Sequence, residues 1–170
     1  MHDKGALIVA RLALGTSAVE SVVAAVERAA AAGFDVILLD PGVDATAIEA
    51  LPAAIAAARA AWRPGGWIAA VIHDRPATRA AVIGHAAQVV RAGADLLWVA
   101  PGEDHRNSMI AHGARLPAAP LADRLRNELG VATAIECGDA LLPDLDAAIA
   151  AGRADLVVVG KLPEGVRAAP

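Results

Sequence analysis

A short phrase recurs three times along the chain and constrains the fold more than any other feature. Each copy has a glycine, an aspartate two or three residues later, and an apolar run closed by glycine or proline. Glycine ends helices because it enters the left-handed conformation without steric penalty. A continuous apolar run is typical of a strand buried on both faces of a parallel sheet. The phrase therefore predicts repeated helix-to-strand junctions. The copies are AGFDVILLDPG at 32–42, AGADLLWVAPG at 92–102 and AGRADLVVVG at 151–160.

The segments between the copies complete a series of six strand–helix units. Strict alternation with short connections predicts an α/β fold with a parallel sheet and right-handed crossovers. A closed eight-stranded barrel needs about 200–250 residues, so the alternatives are a partial barrel, a smaller closed barrel or an open sheet. Strands are predicted at Ala6–Leu14, Asp35–Asp40, Trp67–His73, Asp95–Ala100, Val131–Glu136 and Asp155–Gly160. Helices are predicted to start near Thr16–Glu20 and to span Ala45–Trp62, Pro76–Arg91, Pro120–Leu129 and Pro143–Ala151.

Composition narrows the class of protein. The 170 residues predict one domain, 1–170. A net charge of −4 without a cluster of Lys and Arg argues against a nucleic-acid surface. The single cysteine, Cys137, fits a reducing cytoplasm, and the N-terminal segment resembles neither a signal peptide nor a membrane span. An open sheet would expose edge strands, which predicts a homo-oligomer or a larger protein partner.

Polar residues gather at the predicted strand ends, where parallel α/β proteins place their sites. His73 would form an acid/base pair with Asp74 if their side chains converge, and otherwise is a rim histidine bonded to a loop. Glu136 closes an apolar strand, so its carboxylate needs a partner or a raised pKa. We take His73 and Glu136 as the candidate catalytic residues. The remaining candidates are Asp40, the run Glu103–His105 in a long connection, Cys137 (a structural thiol is the alternative), Asp139 and Lys161.

The end of the last strand is the best candidate for an anion site. Gly160 lets backbone N–H groups approach a phosphate, and Lys161 adds a positive charge.

Two C-terminal segments, PLADRLRNELGVATA at 120–134 and AAGRADLVVVGK at 150–161, resemble the Old Yellow Enzyme-like NADH:flavin oxidoreductases. The similar branch is the one that also forms the C-terminal domain of salicylyl-CoA 5-hydroxylase and anthraniloyl-CoA monooxygenase. The resemblance implies a TIM-type barrel that binds FMN. It implies that the FMN phosphate lies near Gly138, Gly160 and Lys161, with no metal.

Departures from that family shape the functional hypotheses. Its flavin-contacting Arg falls near Val71, and the chain has no Tyr to act as its proton donor. These losses predict a shortened relative with impaired or lost FMN chemistry that acts as a structural or assembly module. The alternatives are an active FMN-dependent NAD(P)H oxidoreductase, or a small cofactor-free lyase or isomerase that uses His73 and Glu136.

Overall fold

The computed structural model describes residues 8–14, 19–74, 79–101, 116–137 and 142–159. Within these ranges the chain alternates between strands and helices, as the repeated phrase predicts. The strands are β1 (Val9–Ala13), β2 (Val36–Asp40), β3 (Trp67–Asp74), β4 (Leu96–Pro101), β5 (Ala132–Cys137) and β6 (Leu156–Val159). The helices are α1 (Val19–Ala31), α2 (Ala45–Ala61), α3 (Arg79–Arg91), α4 (Ala119–Leu129) and α5 (Leu142–Ala150).

The six strands form one parallel sheet in the order β1-β2-β3-β4-β5-β6, so each strand lies beside its neighbour in sequence. With helices between the strands, the sheet is a partial TIM-barrel-like α/β fold, which confirms the predicted fold class. Among the described residues, β1 pairs with β2 alone and β6 with β5 alone. Ile8 and Leu156, beside or on these edge strands, are exposed. The predicted oligomer or larger partner stays a prediction.

The two faces of the sheet bury different sets of side chains, because successive residues of a strand point to opposite faces. The outer face packs on the helices through residues such as Ile37, Leu39 and Leu97. The opposite face, which we call the inner face, carries a smaller apolar cluster. Its buried members are Val36, Leu38, Ala69, Val71, Leu96, Ala100 and Ala134, with Trp98, Ala132 and Val158 packed against them.

The three copies of the phrase form one recurring junction at the amino end of the sheet. Its glycine has a positive φ, as for Gly93 at 113°. The aspartate then contacts a residue at the start of the preceding strand twice. Asp95 donates its N–H to the Ile68 carbonyl at 2.8 Å and accepts the Ile68 N–H on Oδ2, also at 2.8 Å. The equivalent pairs are Asp35 with Ile8 and Asp155 with Thr133.

These contacts, which we call the aspartate clasps, link the strands in pairs. Each clasp joins an even-numbered strand to the odd-numbered strand before it. The phrase therefore recurs once every two strand–helix units along the sequence. An arginine pairs with each aspartate: Arg63 with Asp35, Arg59 with Asp95 and Arg126 with Asp155. At Asp155, burial acts against ionisation, but the Thr133 N–H and Arg126 together lower the carboxyl pKa.

Observed element boundaries lie close to the predicted ones. Helix α3 starts at Arg79, whereas the prediction began it at Pro76, which lies outside the described residues. No helix in the described ranges is long and apolar enough to cross a membrane.

Candidate active site

Polar side chains occupy the inner face toward the carboxyl end of the sheet. Residues two positions apart on a strand point to the same face. Asp40, His73 and Glu136 therefore lie on the inner face, because each follows by two positions a member of the inner cluster: Leu38, Val71 and Ala134. The sheet thus brings together side chains that are far apart in sequence. In the described part of the chain, this group of inner-face polar residues consists of Arg11, Asp40, His73, Trp98 and Glu136.

Asp40 is the centre of the first part of this group. Its Oδ1 accepts from the Gly42 N–H at 2.8 Å and lies 3.2 Å from His73 Nε2. Its Oδ2 accepts from Arg11 Nε at 3.0 Å and from Arg11 Nη2 at 2.6 Å. A carboxylate offers about four acceptor positions, so Asp40 is fully engaged. It can orient neighbouring groups but has no lone pair left to take a substrate proton.

Local sequence holds the Asp40 carboxylate in place. In Asp40-Pro41-Gly42 the side chain accepts from the backbone two residues on, which is an Asx turn. Gly42 has a φ of 59°, a conformation that glycine adopts without strain.

The ionisation of Asp40 determines which nitrogen of His73 carries a proton. The hydrogen bond to His73, with those from Gly42 and Arg11, outweighs burial and holds the Asp40 pKa well below its usual range. An ionised carboxylate can only accept hydrogen bonds. His73 Nε2 must therefore donate, and in the tautomer of the neutral imidazole that does so, Nδ1 carries the lone pair. Both side chains are largely buried, with exposed fractions of 10% for His73 and 13% for Asp40.

Arg11 adds an accessible positive charge to the inner face. Its guanidinium has five N–H groups, of which the two bonds to Asp40 use two. The Arg11 side chain is 51% exposed, so the guanidinium N–H groups that do not bond to Asp40 can contact an anion from solvent.

Trp98 and Glu136 form the second part of the group. Trp98 Nε1 donates to Glu136 Oε2 at 3.3 Å, so the Glu136 carboxylate has the partner that its place on a buried strand requires. Trp98 pairs in register with Val71 and Ala134, one layer below Glu136. The indole therefore lies beneath the polar layer.

Ala100 separates the two parts. It pairs in register with His73 on β3, and Val99 pairs with Ile135, which brings Ala100 to the level of Glu136. Strands β3 and β5 flank β4, so their backbones lie about 10 Å apart. Only a methyl group occupies the β4 position between His73 and Glu136, and Ala100 is itself fully buried.

The sequence-based pairing of His73 with Asp74 is wrong. Adjacent strand residues point to opposite faces, and Asp74 follows Ile72 on the outer face, where it is fully buried. The observed partner of His73 is Asp40, from the neighbouring strand.

Several predicted residues lie outside the described ranges. They are Gly138, Gly160 and Lys161, assigned to phosphate, together with Asp139 and Glu103–His105. Cys137 is the last residue of β5. Its structural role stays a prediction.

Sequence reasoning missed Arg11 and Trp98 as site residues. Both carried a signal: Arg11 interrupts an apolar run, and Trp98 is the one polar-tipped side chain in β4. A buried indole N–H usually has a hydrogen-bond partner, which would have pointed to a nearby acceptor.

No family model matches the chain, and no curated protein matches it either. Solved structures do match. Phosphonopyruvate hydrolase shares 19% identity with a TM-score of 0.61, over 89% of this chain and 52% of that one. Sialic acid aldolase from Ruminococcus gnavus shares 11% with a TM-score of 0.65, over 94% and 56%. Dipeptide epimerase from Enterococcus faecalis V583 shares 14% with a TM-score of 0.61, over 90% and 39%.

These likenesses show the fold alone. The chain spans about half the length of the hydrolase and the aldolase. A second structure of the hydrolase holds oxalate and Mg²⁺. In the part of this chain that the structure describes, no group of three or more His, Cys, Asp and Glu side chains is placed to hold a metal ion.

The interpretation as an Old Yellow Enzyme-like flavin oxidoreductase is wrong, and so is the assignment of FMN. The matching structures above are a hydrolase, an aldolase and an epimerase on TIM-barrel folds. The resemblance rested on α4 and on the third copy of the junction phrase. An amphipathic helix and an aspartate clasp can occur in any parallel strand–helix unit. Their presence therefore does not indicate that a protein binds flavin.

Proposed function

We propose that the inner face carries proton-transfer chemistry of the lyase or isomerase type on a small carboxylate-containing substrate, using protein side chains as acid and base. The observation that carries the proposal is the Asp40–His73 pair facing Glu136 across Ala100. The pair and Glu136 lie on the same face of the sheet, on the two strands that flank β4.

His73 is the proposed general base. Its Nδ1 takes a proton from the substrate, and the ring becomes an imidazolium. Asp40 orients the ring through Nε2 and stabilises the charge that forms. The Arg11 and Gly42 bonds keep Asp40 ionised, so it does not compete for that proton.

Glu136 is the proposed second acid/base group. Trp98 holds Oε2, which orients the carboxylate and leaves Oε1 for exchange with the substrate. A proton removed on one side by His73, and another supplied on the other side by Glu136 in its protonated form, would give an isomerisation, after which both groups would return to their starting states by exchange with solvent. Proton removal coupled to bond cleavage would give a lyase reaction.

Arg11 is the proposed anchor for the substrate carboxylate. Its exposed fork suits bidentate contact with a carboxylate. The names of the matching proteins support this substrate class, because phosphonopyruvate and oxalate are small carboxylates.

Proton exchange tests the proposal directly. The 170-residue protein is incubated in D₂O with pyruvate, 2-oxobutyrate or phosphonopyruvate, and NMR follows the loss of the hydrogens next to the carbonyl. We expect exchange above the buffer rate with at least one acid, and a loss of about 10²-fold or more in His73→Gln. The control, Asp146→Asn, changes an exposed carboxylate on α5 and keeps the wild-type rate. Exchange at the buffer rate for all three acids, or equal rates in His73→Gln, contradicts the proposal.

A further inference from the structure

A pocket lies at the carboxyl ends of β2 and β3, beside the proposed base. Its volume is about 260 Å³. The walls come from the segment after β2, the first turns of α2 and α3, and the end of β3. The apolar side chains in its lining include Pro41, Ala45, Ile48, Ile72, Ala81 and Val82.

His73 connects this pocket to the polar group of the inner face. It lines the pocket, and its Nε2 is bonded to Asp40. Pro41, the residue after Asp40, also lines the pocket. A molecule that reaches the His73 ring therefore lies next to the pocket, so the acid/base chemistry and the apolar walls act on the same substrate.

We propose that the pocket binds an apolar substituent of the substrate. The preferred substrate is then a monocarboxylate that carries an apolar chain or ring of about four to six carbons, because an apolar cavity of about 150 Å³ already holds a benzene ring. This inference rests on the proposed function, since it takes His73 as the base.

Charge in the lining argues against a second acidic group on the substrate. The exposed side chain of Glu49 lines the pocket, and like charges repel. Arg11, the proposed anchor for the carboxylate, does not belong to the described lining. Diacids, including phosphonopyruvate, should therefore be poorer substrates than monoacids with an apolar chain.

A series of 2-oxo acids tests this preference in the 170-residue protein. NMR in D₂O compares 2-oxobutyrate, 2-oxohexanoate and 2-oxoadipate, with each exchange rate divided by the rate in buffer. We expect 2-oxohexanoate to exchange about tenfold faster than 2-oxobutyrate at low concentration, since it has two more methylenes and each buried methylene contributes about fourfold. The third acid, 2-oxoadipate, has a carboxylate in place of the terminal methyl of 2-oxohexanoate. It should exchange about tenfold or more slowly than 2-oxohexanoate.

Two exposed alanines of α2 give a matched pair of variants. Ala45 lines the pocket, whereas Ala56 lies outside the described lining. Ala45→Phe should narrow the pocket and lower the ratio of the 2-oxohexanoate rate to the 2-oxobutyrate rate to about one, because the longer chain loses its apolar contacts. Ala56→Phe should keep the wild-type ratio.

The proposed function and this inference fail in different ways. Exchange above the buffer rate without a preference for 2-oxohexanoate, or a preference that survives in Ala45→Phe, overturns the inference and leaves the proton chemistry standing. A 2-oxoadipate rate equal to or above that of 2-oxohexanoate also overturns the inference.

If no acid exchanges, the proposed function fails, and a titration of the wild-type protein with 2-oxohexanoate decides the inference. Saturable shifts of the backbone ¹⁵N resonances of Ile48 and Val82 support the pocket as the site of the apolar chain, and their absence overturns it. The same titration decides if Ala45→Phe does not fold.

Discussion

The two ends of the sheet use charged side chains in opposite ways. At the amino end, the carboxylates of Asp35, Asp95 and Asp155 accept backbone N–H groups of neighbouring strands. At the carboxyl end, Asp40 accepts mainly from the side chains of Arg11 and His73. The carboxylates at the amino end, which bond to backbone N–H groups, fix the register of the strands. The carboxylate of Asp40 at the other end, which bonds to His73, determines which ring nitrogen of that histidine carries a proton.

This difference follows from the geometry of parallel sheets. All strands begin at one end and finish at the other, so each end collects one kind of residue. In TIM barrels the carboxyl end carries the active site and the amino end contributes stability. Substitutions at the two ends should therefore separate activity from stability.

The largest expected effect is on catalysis. His73→Gln should lower the proton-exchange rate by about 10²–10⁴-fold, because the ring that accepts the proton is gone. The free energy of unfolding, measured by urea denaturation, should change much less. If His73→Gln keeps the wild-type proton-exchange rate, His73 is not the group that accepts the proton.

Asp95→Ala should have the opposite effect, lowering stability without changing the proton-exchange rate. It leaves the buried Ile68 N–H without its side-chain acceptor and breaks the pair with Arg59. We expect unfolding to become easier by about 1–3 kcal/mol, with the exchange rate of the folded protein unchanged. Asp95→Asn keeps an acceptor oxygen and should lose less. A rate loss as large as that of His73→Gln would contradict the division between the two ends.

Substitutions at two glycines are expected to change stability by smaller amounts and in opposite directions. Gly93 has a φ of 113°, and an added Cβ would lie 3.2 Å from Arg59 Cγ. Gly93→Ala should destabilise by about 1–2 kcal/mol. Gly84 lies within α3, where an added Cβ meets nothing within 4 Å. Gly84→Ala should stabilise by about 0.5–1 kcal/mol. Thermal denaturation of both variants checks the opposite signs.

The smallest effect concerns acid stability. The folded-state pKa of Asp40 is depressed, so its contribution is fully present well above the unfolded value of about 3.9. That contribution is lost as pH falls through and below that value. Asp40→Asn should therefore show a shallower decline in unfolding free energy between about pH 5 and pH 2.5. Asp146→Asn is the control, and an identical slope in Asp40→Asn and wild type would refute the assignment.

Local chemistry made the architecture predictable. Gly33, Gly93 and Gly152 marked helix ends, and the apolar runs after them marked strands. The same signals also misled, because they occur in any parallel strand–helix unit. They supported a resemblance to flavin enzymes that the matching structures contradict.

The candidate site was predictable only in part. His73 and Glu136 were found because they end apolar strands. The pairing of His73 with Asp40 was not found, since it joins residues 33 positions apart through sheet register. Arg11 was missed because its partner is on another strand.

The amino-acid sequence by itself determined the order of strands and helices, since glycine conformation and apolar periodicity act over a few residues. It also put polar groups at strand ends. Only the tertiary structure decided which of them meet. Strand alternation turned His73 toward Asp40 and Asp74 toward the helices, and register brought Glu136 level with Ala100. Those contacts depend on how strands align across the sheet, which no local stretch of sequence specifies.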